Sequence, residues 1–303
     1  FDDSTKQIKL LDVTQNIKVK PSSLHGIEID NFAAYVCQLS ILIVDAQLNN
    51  LMSNFFVDAP IANMPIKEIA NIHTGNALDT DWQIVVDIEK LTYIIGNPPF
   101  RGYTKQTKSQ KEDMKRVFDG KASLDYVAAW YQKAVEFIQD TNIRIGFVST
   151  NSICQGEQVS ILWEDLLTKF GMNINFAHQA FQWSNKAPNN PAVHVVIIGL
   201  WAENAKEKHL HTYTDIKGQS VSNIVKHINP YLFGFESKFL NRRTKPLSDV
   251  PIMSKGSQAT DGGNLFLTKI QKDAFLESNP QLKKYVKQFM GSDECIKNKE
   301  RYC

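Results

Sequence analysis

Four consecutive residues, Asn97-Pro98-Pro99-Phe100, follow the apolar run "YIIG" and carry the groups needed to hold a flat amine for methylation. Two adjacent prolines end a strand or a helix, because neither donates a backbone hydrogen bond and each fixes its own φ. An amine attached to an aromatic ring is a poor nucleophile, since its lone pair is delocalised into the ring. Two acceptors that bind both of its hydrogens would aim the lone pair at a methyl donor.

The turn supplies two acceptors and one stacking face. The side-chain oxygen of Asn97 is one acceptor and the carbonyl of Pro98 is the other, with its direction restricted by Pro99. Phe100 can stack on the flat face of a base. No strong general base is required, because the amine becomes acidic only after it gains the methyl group. Catalysis would then be mostly positioning. The alternative is that the two prolines simply end a strand.

The elements around this turn alternate between strand-like and helix-like segments. The predicted strands are "SSLHGIEI", "IANIHTG", "LTYII", "IRIGFVST", "INFAHQAF" and "AVHVVIIGLW". The predicted helices are "FAAYVCQLSILIVDAQLNNLMS", which Asp30 and Asn31 can cap, "SLDYVAAWYQKAVEFIQD", with Ser123 as its cap, and "GEQVSILWEDLLTKF". This alternation predicts an α/β fold with βαβ units and a parallel, Rossmann-like sheet. "LTYII" is apolar throughout, which is typical of a central strand covered on both faces. The last two strands lack an intervening helix and predict an antiparallel hairpin at a sheet edge.

Ligands of such sheets bind at the carboxyl ends of the strands. The residues that this rule places on one rim are Glu28, Asn76, Asn97, Ser149 and Phe181. Glu28 is suited to bind ribose hydroxyls, although a helix-capping acid is the alternative. Asn76 could read an adenine edge or could be an ordinary turn residue, and Asp79 and Asp81 are rivals for its role.

Composition bounds the remaining possibilities. The chain has 303 residues, 43% hydrophobic and 22% charged, with a net charge of +2, which is ordinary for a soluble globular protein. Its four cysteines form no CxxC pair, so we expect reduced thiols in the cytoplasm and no zinc site. His209 and His211 share a strand face, but no third metal ligand is evident, and no metal is expected.

We expect no membrane span, because Asp45 and Gln47 interrupt "QLSILIVDAQL". The N-terminus has no signal-peptide pattern.

A basic segment, "RGYTKQTKSQKEDMKRVFDGK", follows the turn directly. It carries seven cations and three anions, a net charge of +4. Contact with a phosphate backbone is the functional interpretation, and a solvated surface is the alternative. The predicted DNA-backbone contacts are Arg101, Lys105, Lys108, Lys115 and Arg116.

The order of "HGIEID", "GNAL", "IIGNPPF", "SLDYVAAWY", "FVSTNSICQGEQ", "INFAHQAFQW" and "AVHVVIIG" resembles the amino-methylating DNA methyltransferases of the gamma arrangement. More narrowly, it resembles the MmeI-like type IIL restriction-modification group, over nearly the whole chain. The resemblance implies a Rossmann-like, S-adenosylmethionine-dependent domain that methylates the N6 of an adenine flipped out of double-stranded DNA. A nuclease region in the same polypeptide would accompany it.

The resemblance also implies roles for individual residues. Asn97, Pro98, Pro99 and Phe100 would hold the target adenine, with Phe181 or Trp183 stacking from the other side. The cofactor contacts would be Glu28, Ile29, Asn76, Leu78 and Asn97. The domains implied are a catalytic domain at 1–205, a connecting segment at 206–245 and the start of a target-recognition domain at 246–303.

One departure from the family pattern limits these expectations. The family has a glycine-rich cofactor loop one strand and one helix before "GIEID", and residues 1–20 contain nothing like it. The chain also does not begin with Met. We therefore expect a fragment without the first strand and with weak or absent cofactor binding on its own. The alternatives are methylation of a cytosine N4 or a protein glutamine, or an inactive DNA-binding fragment.

Overall fold

The computed structural model describes residues 19–55, 68–120, 123–183, 193–216, 218–241, 243, 248–250 and 261–303. The chain divides into two compact units, Phe1–Arg242 and Arg243–Cys303. The strands are β1 His25–Glu28, β2 Asn71–Thr74, β3 Tyr93–Gly96, β4 Arg144–Thr150, β5 Asn173–Trp183, β6 Val193–Trp201, β7 Lys208–Tyr213, β8 Ser220–Val225, β9 Gln288–Phe289 and β10 Arg301–Tyr302. The helices are α1 Asn31–Phe55, α2 Lys108–Val117, α3 Ala128–Phe137, α4 Glu157–Glu164, α5 Lys269–Ser278 and α6 Ser292–Lys297.

The first unit contains a mixed sheet, and its strand order among the described residues is β3-β4-β6-β5-β7-β8. β3 is parallel to β4, and β5 is parallel to β7, whereas β6 is antiparallel to both β4 and β5. The predicted α/β fold and the antiparallel β5–β6 hairpin are both present. The hairpin is not at the edge, however, because β6 lies between β4 and β5 and the pair β7–β8 extends the sheet beyond it. The segment after residue 205 therefore continues the sheet.

One face of the sheet is covered by a buried core. β4 alternates between buried and partly exposed side chains, as expected for a strand with one covered face. Tyr131 of α3 lies at the centre of this core, with ring contacts to Phe147 at 5.1 Å and to Trp163 at 5.4 Å. The expectation that "LTYII" is covered on both faces is wrong for the described residues. Ile95 of β3 is 81% exposed, and β3 pairs only with β4 within the part that the structure describes.

β1 and β2 form a separate parallel pair, and α1 connects them. The Ala33 N–H donates to Asp30 Oδ1 at 2.8 Å, so Asp30 caps α1 as predicted. The span Asn31–Leu51 is long and apolar enough to cross a membrane by length and composition, which corrects the expectation that no run reaches that length. Core helices of soluble proteins meet the same criterion but are mostly buried, whereas 6% of the most apolar 18-residue window of this span is buried.

An irregularity in β5 changes which side chains share a face. Between His178 and Phe181 the pairing with β6 advances from Ile197 to Val195, so three steps on β5 match two on β6. This is a β-bulge, and the extra residue restores Phe181 to the face that carries His178. Strict alternation would have placed the two rings on opposite faces.

The second unit has its own small set of contacts. β9 and β10 pair antiparallel, and Thr268 caps α5 in a capping box with Gln271. Phe266 and Phe289 pack edge to face at 4.6 Å. This unit contains much of the region in which target recognition is expected.

Candidate active site

The Asn-Pro-Pro-Phe turn leaves β3 at its carboxyl end, where the sequence placed it. Gly96, the last residue of β3, pairs with Phe147 of β4, which fixes the start of the turn. Asn97 is exposed and Pro98 is buried. Phe100 is half-buried and packs against the hydrophobic core. The amide that would accept a hydrogen bond therefore faces solvent, and its flanking residues are held by the fold.

Asp125 holds the far end of the turn. Its Oδ1 accepts a hydrogen bond from the Arg101 N–H at 3.0 Å. The Tyr126 N–H donates to the Arg101 carbonyl at 3.0 Å. The predicted Ser123 cap is wrong, because α3 begins only at Ala128, and residues 124–127 form the turn that binds Arg101.

Glu28 and Asn76 lie at the adjacent carboxyl ends of β1 and β2. The Gly75 N–H donates to the Glu28 carbonyl at 2.8 Å, which brings the two ends together. Glu28 Oε1 accepts from the Asp30 N–H at 3.1 Å, and Ile29 is 72% exposed. A carboxylate has about four acceptor positions, so Glu28 keeps capacity for hydroxyl groups.

A buried carboxylate, Asp113 of α2, fixes the orientation of Asn76. Asn76 Nδ2 donates to Asp113 at 3.1 and 3.2 Å, and the Leu78 N–H donates to Asn76 Oδ1 at 3.0 Å. Asp113 is 4% exposed and also accepts from the Tyr126 hydroxyl at 2.7 Å. Burial, and next the hydrogen bond to Asp113, raises the pKa of Tyr126, so this tyrosine stays a donor. Leu78 is 3% exposed, which leaves its side chain in the core.

The basic segment is only partly available for phosphate contact. Arg116 forms ion pairs with Asp79 and Asp113, which offset its charge. Lys105, Lys108 and Lys115 are exposed, as is Arg101. α2 begins at Lys108 after the Thr107 cap, so these cations stand around one short helix.

Both rivals of Asn76 have other roles, since Asp79 pairs with Arg116 and Asp81 caps the Gln83 N–H at 3.0 Å.

Phe181 and Trp183 lie at the carboxyl end of β5, within an aromatic cluster that β7 completes. Phe181 stacks on Tyr213 with ring centres 5.1 Å apart and planes 21° apart, and Trp183 lies 6.2 Å from Phe181. Phe181 is half-buried, whereas Trp183 is 40% exposed. β4 and β6 separate β3 from β5, which at a strand spacing of about 4.8 Å leaves about 14 Å between them. That width leaves room for a flat base between side chains of the two strands.

Two stacked histidines support this cluster. The rings of His178 and His211 are parallel at 4.1 Å, and His178 Nδ1 is 2.7 Å from the Tyr213 hydroxyl. Burial, and next the proximity of His211, lowers the pKa of His178 to about 4. His178 is therefore neutral near pH 7 and acts as a structural residue.

The prediction that Ser149 lies on the rim is wrong, and a surface depression lies apart from the predicted site. Ser149 is fully buried and its hydroxyl is 2.7 Å from that of Tyr131, so it belongs to the core and not to the rim. An open depression of about 510 Å³ lies against the opposite ends of the strands, between Arg144, Asn175 and Trp201. None of the predicted site residues lines it.

Sequence reasoning missed the residues that support the site from below. The i, i+3 spacing of Asp113 and Arg116 is a local signal of an ion pair, but no local signal links Asp113 to Asn76. Asp125 and Tyr126 lie in "SLDYVAAWY", and their hydrogen bonds to Arg101 leave no local signal in the sequence. Tyr213 had no signal, because its contact with Phe181 depends on the bulge in β5 and on the pairing of β7.

The mixed α/β sheet and the Asn-Pro-Pro-Phe turn at the end of β3 define a methyltransferase domain. The family model described as "MmeI, DNA-methyltransferase domain" matches residues 4–212, and "MmeI, target recognition domain" matches residues 235–303. This chain belongs to the MmeI DNA-methyltransferase family.

Two similar proteins support this membership. "DNA methyltransferase A" of Bacillus subtilis (strain 168) is 39% identical over 289 residues, 93% of this chain and 32% of that protein. The structure of the type IIL restriction-modification enzyme MmeI in complex with DNA is 41% identical, with a TM-score of 0.82, over 100% of this chain and 40% of that one. The chain thus spans about a third of the curated relative it matches.

Proposed function

We propose that this chain is the catalytic core of a site-specific DNA methyltransferase that transfers a methyl group from S-adenosylmethionine to the N6 of a flipped adenine. The observation that carries the proposal is the turn after β3. It presents the Asn97 amide to solvent while Pro98 and Phe100 are held by the fold. The matched DNA-methyltransferase and target-recognition families support DNA as the substrate.

The turn acts on the target amine by position and polarity. The Asn97 side-chain oxygen and the Pro98 carbonyl accept the two amine hydrogens, which directs the nitrogen lone pair away from the protein and towards the methyl donor. Phe100 and either Phe181 or Trp183 stack on the two faces of the base. The proton leaves only after the nitrogen has gained the methyl group, so a water can accept it and no buried base is needed.

The residues at the ends of β1 and β2 fit an adenosine group. Glu28 has acceptor capacity for ribose hydroxyls, and the exposed Ile29 offers an apolar surface beside it. The Asn76 amide is held in one orientation by Asp113 and the Leu78 N–H, as recognition of an adenine edge requires. S-adenosylmethionine, when bound, supplies an electrophilic methyl group. Weak cofactor binding by this chain alone stays a prediction that calorimetry can test.

The cost of extracting a base from a duplex is a few kcal/mol and must be offset by contacts to the DNA backbone. Lys105, Lys108 and Lys115 are exposed around α2 and are suited to phosphates. Residues 235–303, which match a target-recognition family, would supply further contacts. We extend the proposal to double-stranded DNA as partner, to the cytoplasm as location and to a nuclease region in the same polypeptide, as in a restriction-modification enzyme.

The test is methyl transfer from labelled S-adenosylmethionine to DNA by the full-length protein. Asn97→Ala should reduce transfer to background, and the wild-type product should be N6-methyladenine on nucleoside analysis. Asn173→Ala is the matched control, because Asn173 is the first residue of β5 and lies at the opposite end of that strand from the rim. Transfer by Asn97→Ala at the wild-type rate would contradict the assigned role of the turn. N4-methylcytosine, or label in protein glutamine, would replace the proposed substrate by one of the alternatives.

A further inference from the structure

We infer that Asp125 is a positioning residue that sets the geometry of the Asn97–Phe100 turn for methyl transfer; this inference rests on the proposed function. Asp125 is 6% exposed and binds groups of three other residues. Its Oδ1 accepts from the Arg101 N–H at 3.0 Å, and its Oδ2 accepts from the Ser152 hydroxyl at 3.4 Å. Its own N–H donates to Gln158 Oε1 at 2.9 Å.

These bonds fix the residue that directly follows the turn. The Arg101 N–H is bound by the Asp125 carboxylate, and the Arg101 carbonyl accepts from the Tyr126 N–H at 3.0 Å and from Gln106 Nε2 at 3.1 Å. Both polar groups of one backbone residue are therefore bound. The peptide plane between Phe100 and Arg101 is therefore held in one orientation. This orientation fixes the backbone position from which the Phe100 ring projects.

The opposite end of the turn is fixed by the sheet. Gly96 pairs with Phe147 in the β3–β4 ladder, and a Cβ added to Gly96 would meet the Phe147 ring at 3.5 Å. Four residues, 97–100, thus span two anchored points, one in β3 and one at Asp125. Two of these four residues are prolines with restricted φ, so moving one anchor moves the Asn97 and Pro98 acceptors. A displacement of about 1 Å in such a site can cost about 100-fold in rate.

The network also gives a role to motifs that the catalytic chemistry does not use. Asp125 lies in "SLDYVAAWY", and Ser152 and Gln158 lie in "FVSTNSICQGEQ". Both segments meet at the Asp125 side chain and backbone. The two oxygens of the Asp125 side chain bind Arg101 and Ser152 separately, so one residue links the turn to the segment after β4.

Asp125 could instead serve only to start α3, because its Oδ1 also lies 3.4 Å from the Val127 N. The bond to Arg101 is 0.4 Å shorter by these two distances, 3.0 against 3.4 Å. The two roles predict different measurements. A helix cap affects stability, whereas an anchor of the turn affects the rate of the chemical step.

The experiment compares Asp125→Ala and Asp125→Asn with wild type in the full-length protein. Single-turnover methyl transfer to DNA gives the rate of the chemical step, titration gives the apparent KM for S-adenosylmethionine, and thermal unfolding gives stability. Asp125→Ala should lower the rate about 10- to 100-fold with the KM for S-adenosylmethionine changed less than about twofold. Asp125→Asn keeps an Oδ1 acceptor for the Arg101 N–H and should recover most of the rate.

Asn175→Ala is the matched control for stability. Asn175 is also buried, and its Oδ1 accepts from the Ala205 N–H at 3.2 Å and from Lys208 at 2.8 Å, but it lies near the start of β5, away from the rim. This control should lose thermal stability while keeping the wild-type transfer rate. If Asp125→Ala does not fold, Gln158→Ala, which removes only the acceptor of the Asp125 N–H, should still slow transfer several-fold.

Three results overturn the inference. They are a wild-type rate in Asp125→Ala, a wild-type rate in Gln158→Ala, or rate losses in Asp125→Asn as large as those in Asp125→Ala. These results differ from a failure of the proposed function, in which the wild-type protein itself would transfer no methyl group to adenine in DNA.

Discussion

Replacement of Asp113 by alanine should destabilise the first unit by about 3 kcal/mol. Asp113 is 4% exposed and accepts hydrogen bonds from Asn76 and from the Tyr126 hydroxyl. An unsatisfied buried donor costs about 1–3 kcal/mol. In the variant, the Tyr126 hydroxyl would lose its acceptor, and because Tyr126 is 5% exposed this loss should lower the free energy of unfolding by about 2 kcal/mol. The half-buried Asn76 amide can bind water instead, so its loss should add about 1 kcal/mol. The ion pair with Arg116 adds little, because the Arg116 side chain is 49% exposed.

The measurement is urea unfolding followed by a probe of the first unit. Asp79→Ala is the matched control, because Asp79 pairs with the same Arg116 but its side chain is 64% exposed. This control should lose less than about 1 kcal/mol. A loss below about 1 kcal/mol in Asp113→Ala, or equal losses in both variants, would refute the assignment of a buried support for Asn76.

Other perturbations probe the base-stacking cluster, its histidine and the basic segment. Phe181→Ala should weaken binding of a DNA with a mismatched target adenine more than Trp183→Ala, since Phe181 is fixed by stacking on Tyr213; equal effects in a fluorescence titration would leave neither residue as the main stacking group. His178 binds fewer protons folded than unfolded between its ordinary pKa of 6.5 and its lowered pKa of about 4, so acidification through that window should destabilise the protein. The unfolding temperature of His178→Gln should fall less between pH 7 and pH 5 than that of the wild type. An equal fall in both proteins would contradict the lowered pKa of His178. Lys105→Ala and Lys108→Ala should each reduce the slope of log affinity for DNA against log salt by about 1, and an unchanged slope would show that neither binds phosphate.

Local patterns were sufficient to predict most elements of the first unit. The apolar run before Asn97 and the period-2 pattern of "IRIGFVST" correspond to β3 and β4, because strand formation depends on residues close in sequence. The position of β6 between β4 and β5 could not be predicted in this way. It depends on which strand edges pair, and both edges of an apolar strand are chemically alike.

The candidate site was predictable to a similar extent. Asn97, Glu28 and Asn76 could be placed at strand ends, because the carboxyl ends of parallel strands meet at one rim. The bonds of Asp113 to Asn76 and of Asp125 to Arg101 join residues 37 and 24 positions apart. Such pairs leave no periodic signal in one sequence. A bulge, like the one that turns Phe181 towards Tyr213, likewise appears only once the partner strand is known.

The insertion of β6 has a consequence for the order of events during synthesis. About 50 residues separate the end of β4 from the end of β6, so a ribosome that adds about 5–20 residues per second leaves one edge of β4 unpaired for about 3–10 seconds. An unpaired apolar edge can pair with other chains, so β4 is exposed to aggregation during this interval. Every residue predicted to touch the cofactor or the target base precedes β6. The chemical groups of the site therefore emerge from the ribosome before β6, the strand that joins β3 and β4 to β5, β7 and β8.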